Sequence, residues 1–291
     1  MMMNLNFPNC IKVAELDCSS GQNAFLAISE IINTISVLCQ QSNQNPPEID
    51  CCLNDLPEND FNATFKSIPF FNKELMITNQ ASLHLIHSSY ALHWLSKVPE
   101  KLVNDKENVY ITNASSQSAY KAYLNQFNRD FTMFLKLIYL EDVWDDLPVS
   151  RLKYNALDDF QEDFQEVFQT TSRRSSGLLG TSMTHAFNMP FYDPNEQELK
   201  EVIQNEGSFE INDLETHEYD LGHSNCDNQE DDEAGYNEAN CIRAVTESML
   251  VVHFGEDIID ILFDKYARHV TQHASRRNKT SVTLVVALTK K

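Results

Sequence analysis

Basic residues are scarce in this chain: 22 Lys and Arg stand against 43 Asp and Glu, a formal net charge of −21. With no basic field to replace phosphate counterions, a nucleic-acid partner is not expected. Cysteine is sparse and unpatterned. The seven residues are odd in number and include no CxxC pair, which argues against a disulfide framework or zinc site and for a reducing compartment. The sequons "NAT", "NAS" and "NKT" are then expected to be unused. No apolar run approaches the length of a membrane span. The opening "MMMNLNFPNC" lacks the charged and apolar regions of a signal peptide. No internal repeat is present. These absences lead to the expectation of a soluble, acidic, cytoplasmic protein without a membrane partner. A length of 291 residues with 42% hydrophobic content suffices for one large or two small globular domains.

What is present is an alternation of strand-like and helix-like segments. Five β-leaning stretches stand out: "IKVAEL" (11–16), "IDCCLNDL" (49–56), "SLHLIH" (82–87), "NVYITN" (108–113) and "SVTLVVALTK" (281–290). The first and third are near-continuous apolar runs, as in strands covered on both faces. Segments of helical period lie between them, at 23–41 and 119–140. This alternation predicts βαβ units and a mainly parallel sheet. Further on, 195–211 reads as a helix closed by Gly207 and followed by a strand. The acidic run 226–240 is most simply a solvated loop, and 244–270 is strongly helical in period. The stretch 141–186 is the least readable and is expected to be poorly ordered.

The segment "AELDCSSGQN" (14–23) places a small-residue loop between the first strand and a helix, with Leu26, Ile28, Ile31, Ile32, Ile35 and Leu38 on its apolar face. That arrangement brings backbone N–H groups and a helix N-terminus to a ligand when the loop residues are small. Asp17 sits where such loops usually hold glycine. At the end of the second strand, Asp55 in "LNDLP" is suited to accept from both hydroxyls of a ribose. An Asp before Leu-Pro is also often a plain turn residue, and a Tyr/His/Trp group after a strand is often simple packing.

The blocks "LDCSSGQN", "LNDLPENDFNATFKSIP", "LHLIHSSYALHWLSKVP", "AYLNQFNRDFTMFL", "AFNMPFYDP" and "YNEANCIRAVTESMLVVHFGEDIIDILFDKY" occur in order. In them the chain resembles the plant salicylate/benzoate/jasmonate carboxyl methyltransferases, a family that includes caffeine-pathway N-methyltransferases. The resemblance covers most of the chain apart from 141–186. It implies a Rossmann-like α/β methyltransferase sheet with flanking helices and a helical cap, some parts of both being missing or altered. Residues 1–140 would form the N-terminal part with the cofactor loop and 141–186 a divergent, disordered insert. Residues 187–291 would form the cap and closing strand.

The implied activity is transfer of the methyl group of S-adenosylmethionine to the carboxylate of a small aromatic or apolar acid. By position, the resemblance assigns Cys18, Asn23, Asp55 and Leu56 to the cofactor and Tyr90, His93 and Trp94 to the acceptor. The chemistry itself needs no general base, since a carboxylate is ionised at neutral pH and the sulfonium methyl is already activated. Alignment and exclusion of water remain for the protein to supply. The resemblance also implies a magnesium site at Asp105, Phe187 (through its carbonyl) and Asn188, with His185 in place of a family Asp. An imidazole there weakens a site for a metal that prefers oxygen, so a metal-free loop is the better expectation. A homodimer is common in the family.

Four departures accompany the resemblance. A family segment rich in Gly, Ser, Tyr, Asn and Gln before the first strand has no counterpart here. The family loop "PGSFY" is absent between Pro69 and Leu83. A Gly-Gly strand block expected after the 119–140 helix is replaced by 141–186. Glu15 and Asp17 stand where the family has Asp and Gly. The expectation is therefore a shortened member of the family. The alternatives are a catalytically impaired or non-catalytic paralogue that binds cofactor or a partner, and a product that folds poorly.

Overall fold

A computed structural model describes residues 7–19, 23–55, 83–89, 91–99, 111, 115–140, 150–156, 167–168, 187–220, 231–273 and 280–291. Their strands are β1 (Cys10–Leu16), β2 (Glu48–Asn54), β3 (Leu85–Ser89), β4 (Ser150–Ala156), β5 (Phe209–Asp220) and β6 (Thr280–Lys290). They form one sheet in the order β2-β1-β3-β4-β6-β5. The first four are parallel, and β6 runs antiparallel to both β4 and β5. The helices are α1 (Asn23–Gln41), α2 (Gln117–Leu140), α3 (Glu196–Glu206), α4 (Asp231–Phe254) and α5 (Ile259–His273). The fold is the expected mixture of helices around a mainly parallel sheet. Because β2 and β3 flank β1 on opposite sides, the strand order reverses between β1 and β3. Open sheets of this kind bind ligands at that switch point, beyond the carboxyl ends of the strands.

Both faces of the sheet are covered. On one, Ile11 and Val13 of β1 and Cys51 of β2 pack against Ile28, Ile35 and Cys39 of α1. On the other, α2 lays down Tyr123, Phe127, Phe131 and Leu135, spaced four residues apart and all but excluded from solvent. These meet α3 and the Leu284, Val286, Leu288 row of β6. Burying each such side chain contributes about 1.5–3 kcal/mol, which is why the helical and strand periods were readable in the sequence. By length and composition α1 is apolar enough to cross a membrane. This corrects the expectation that no segment is, although one of its faces is occupied by the sheet.

Helix ends follow local chemistry. Asn195 and Glu198 form a reciprocal capping box at the start of α3, and Gly207 closes it at φ 88° with its N–H on the Ile203 carbonyl. The solvated loop expected over 226–240 is corrected at 231–240, which are the first turns of α4, while 226–230 lie outside the described residues. Acidic residues there favour a helix N-terminus, and Ala239 and Ile242 supply a buried face. The continuous helix expected over 244–270 is also interrupted. Gly255, at φ 83°, donates its N–H to the Val251 carbonyl, and a single 3₁₀ turn, Glu256–Ile258, leads into α5. The helices α4 and α5 form a cap with its own core, which includes Phe168, Phe187, Met189 and Phe191.

Within 141–186, residues 150–156 are not a disordered insert. They form β4, central in the sheet, paired with β3 on one side and β6 on the other. A strand therefore does follow α2 in the chain. Its pattern, "SRLKYNA", does not alternate clearly and carries two basic residues, so periodicity gave no signal. The proposed strand 108–113 lies outside the described residues except for Ile111, which is not in a strand.

Candidate active site

The loop that leaves β1 is held to the end of β2. Cys18 N–H donates to the Asn54 carbonyl at 3.1 Å, and Ser19 N–H donates to Asp55 Oδ2 at 2.5 Å. Asp17 and Ser19 both adopt left-handed backbone conformations, φ 57° and 53°. The glycine-like geometry of the loop therefore persists with Asp in place. Asp is one of the few side chains that tolerates it, because its short polar group can bond locally. Asn23 opens α1 on the exposed side, and Cys18 is buried. Leu56 lies outside the described residues.

Electrostatically the loop is acidic. The Asp17 side chain reaches solvent, yet desolvation by the surrounding protein raises its carboxyl above the ordinary value, with the charges of Asp55 and Glu15 adding to the rise. Burial, followed by the charge of Asp55, pushes the Cys18 thiol up to about 11. That thiol stays protonated at neutral pH and is not a nucleophile.

On the far side of the switch point, residues 91–95 are clipped to the segment that enters α3. Leu95 N–H donates to the Pro190 carbonyl at 2.7 Å, and Tyr192 N–H donates to the His93 carbonyl at 2.9 Å. From α2, Asp130 accepts from Ser96 N–H and Ser96 Oγ at 2.9 and 2.8 Å, fixing the end of the loop. His93, Trp94 and Phe191 form an aromatic group, with His93–Phe191 and Trp94–Phe191 centroids 4.5 and 5.1 Å apart. Trp94 is half-buried and packs against the cap core rather than inside the sheet. His93 is buried, and burial pushes its imidazole down to about 3, so it is neutral at physiological pH. The Asp193 carboxylate lies 3.9 Å from His93 Nδ1, beyond hydrogen-bond reach, and desolvation prevails. Tyr90 lies outside the described residues.

A family model for S-adenosylmethionine-dependent carboxyl methyltransferases matches residues 1–291. The chain belongs to that family. This methyltransferase is 63% identical to a salicylate/benzoate carboxyl methyltransferase of Arabidopsis thaliana, an alignment that covers 100% of the chain and 83% of the relative. It is 35% identical to a salicylate carboxymethyltransferase of Clarkia breweri, covering 97% of the chain and 85% of that protein. Among solved structures, loganic acid methyltransferase with S-adenosylhomocysteine superposes with a TM-score of 0.81 at 25% identity, over 99% of this chain and 86% of that one. The Rossmann-like methyltransferase fold and the dependence on S-adenosylmethionine follow from this membership. The residues present suit such a cofactor: a carboxylate just after β2 anchors the loop that leads from β1 towards a 19-residue helix.

Of the implied magnesium positions, Phe187 and Asn188 alone are among the described residues. Phe187 is buried in the cap, ringed by Phe168, His253 and Phe254. Asn188 follows it, and Asp105 and His185 lie outside the described residues. No group of three His, Cys, Asp or Glu side chains suited to a metal occurs among those described. No step of the reaction is therefore drawn through a metal. Sequence reasoning did not single out His87, which pairs with Glu15, or Phe191, which packs on His93 and Trp94. Phe191 stood within the quoted "AFNMPFYDP" block, but its approach to Trp94 depends on a long-range backbone bridge.

Proposed function

We propose that this methyltransferase acts on the carboxylate of a small aromatic acid of the salicylate or benzoate type. The observation that carries the reading is the 63% identity over the whole chain to the Arabidopsis salicylate/benzoate enzyme. The aromatic group His93, Trp94 and Phe191 supports it, because flat apolar walls suit a flat acid. When bound, S-adenosylmethionine supplies a methyl group already activated by its sulfonium. Asp55 is assigned to the ribose hydroxyls while it anchors Ser19. Asn23 and Cys18 border the same loop. Trp94 offers its indole N–H to the acceptor carboxylate, and neutral His93 offers a ring nitrogen without adding charge. No side chain has to remove a proton, so orientation and exclusion of water are the protein's contribution.

The test is turnover with S-adenosylmethionine against salicylate, benzoate, jasmonate and a xanthine. Methylation is expected to favour the two aromatic acids. Trp94→Phe should lower that turnover while leaving S-adenosylhomocysteine affinity intact, because the lost bond belongs to the acceptor. A folded protein that binds S-adenosylhomocysteine but methylates none of the acids would instead be the non-catalytic relative.

A further inference from the structure

Glu15 and His87 face each other across the switch point. They are directly paired partners of β1 and β3 in the parallel register, and Glu15 Oε2 accepts from His87 Nδ1 at 2.5 Å. Both residues are more than nine-tenths buried, at 3% and 6% exposure. Glu15 continues the row Ile11, Val13 that α1 covers, so its side chain is carried on an otherwise apolar face of the strand. A buried carboxylate–imidazole pair costs desolvation that a pair of apolar side chains of similar volume avoids. Its location bears on function. Two residues beyond Glu15 the chain turns into the left-handed Asp17, and a few residues beyond His87 it reaches His93 and Trp94. The pair is thus a short polar cross-brace beneath the cofactor-side loop and the acceptor-side loop.

We propose that Glu15 and His87 are positioning residues, which fix the loop after β1 relative to the loop after β3 so that the cofactor and acceptor sites keep one mutual geometry. This rests on the assignment of those loops to cofactor and acceptor. Directionality gives the brace its precision. The Nδ1–H of His87 is aimed by the β3 backbone, and the Glu15 carboxylate is aimed by β1 just before the chain leaves the strand. A hydrogen bond between directly paired residues of adjacent strands tolerates little displacement of either strand end.

The experiment compares His87→Asn, whose amide N–H falls near the position of Nδ1, with His87→Leu, which fills the space without a donor. Thermal midpoints, S-adenosylhomocysteine affinity and acid turnover are measured on each. His87→Asn is expected to keep cofactor affinity and kcat within about threefold of the parent. His87→Leu is expected to lose about tenfold or more in kcat with a further weakening of cofactor, the scale of one charge-assisted bond. Its midpoint should be no lower than that of His87→Asn. The double variant Glu15→Leu with His87→Leu removes the burial penalty. It should restore or raise the midpoint while turnover stays low. Parental turnover in the double variant, or equal losses in His87→Asn and His87→Leu, would overturn the proposal. Should the double variant fail to fold, the two single variants decide by the same criteria. Failure of the underlying assignment shows separately, as unchanged S-adenosylhomocysteine affinity in Asp55→Ala.

Discussion

Replacing Asp17 separates two costs that coincide at one residue. The first is electrostatic. Its folded-state carboxyl is raised above the ordinary 3.8 by desolvation, then by Asp55 and Glu15. A carboxyl raised on folding binds more protons in the native than in the unfolded state. Native stability is therefore greatest below the unfolded pKa and declines as pH rises through the folded one. Asp17→Asn keeps the shape and the left-handed tolerance but removes the charge, so it should be more stable than the parent at pH 7.5. That advantage should shrink towards pH 4. The second cost is the backbone. At φ 57° a side chain carries a penalty that glycine does not, partly offset by glycine's larger unfolded-state entropy. Relative to Asp17→Asn, which has already lost the charge, Asp17→Gly should therefore add about 0.5–1 kcal/mol independently of pH. Urea denaturation of the three proteins at several pH values measures both parts. An Asp17→Asn advantage that is flat with pH, or negative, would refute the electrostatic reasoning. Calorimetry with S-adenosylhomocysteine adds a second reading. On the proposed assignment of the first loop to the cofactor, removing bulk and negative charge at this position should tighten binding in Asp17→Gly, and weaker binding would mark Asp17 as a useful contact.

Asp55→Ala should weaken S-adenosylhomocysteine binding by about 1.5–3 kcal/mol, the range for a hydrogen bond to a charged group, as measured by calorimetry. His93 is held near 3 by burial, below its ordinary 6.5. Its share of stability is complete above pH 6.5 and falls by about 1.4 kcal/mol for each pH unit below it, until the pH reaches the folded value. Urea titrations of His93→Met should show that slope removed. Gly255→Ala meets no neighbour within 4 Å of an added Cβ, but φ is 83°. Only the backbone penalty remains, about 1–2 kcal/mol of unfolding free energy, as measured by urea denaturation.

Local patterns in the sequence were enough for β1, α1, β2, α2 and α3, because each is amphipathic or apolar on a clear period, and α3 also ends in recognisable caps. Gly207 is the plainest case: one residue in a left-handed conformation stops the helix wherever the rest of the chain goes. The family was legible for the same reason, as blocks such as "LDCSSGQN" and "SSYALHWLS" are contiguous. The tertiary structure decided what depends on pairing between distant segments. β4 became a central strand because β3 and β6 bracket it, although its own residues alternate poorly. The acidic run before Ala239 became helix because Ala239 and Ile242 found a buried face in the cap. Glu15 and His87, 72 positions apart, acquired their meaning only from parallel register, which places them opposite each other on neighbouring strands. Register is a property of two segments at once. A pattern read along one segment carries its period but not its partner, and site geometry is made of partners.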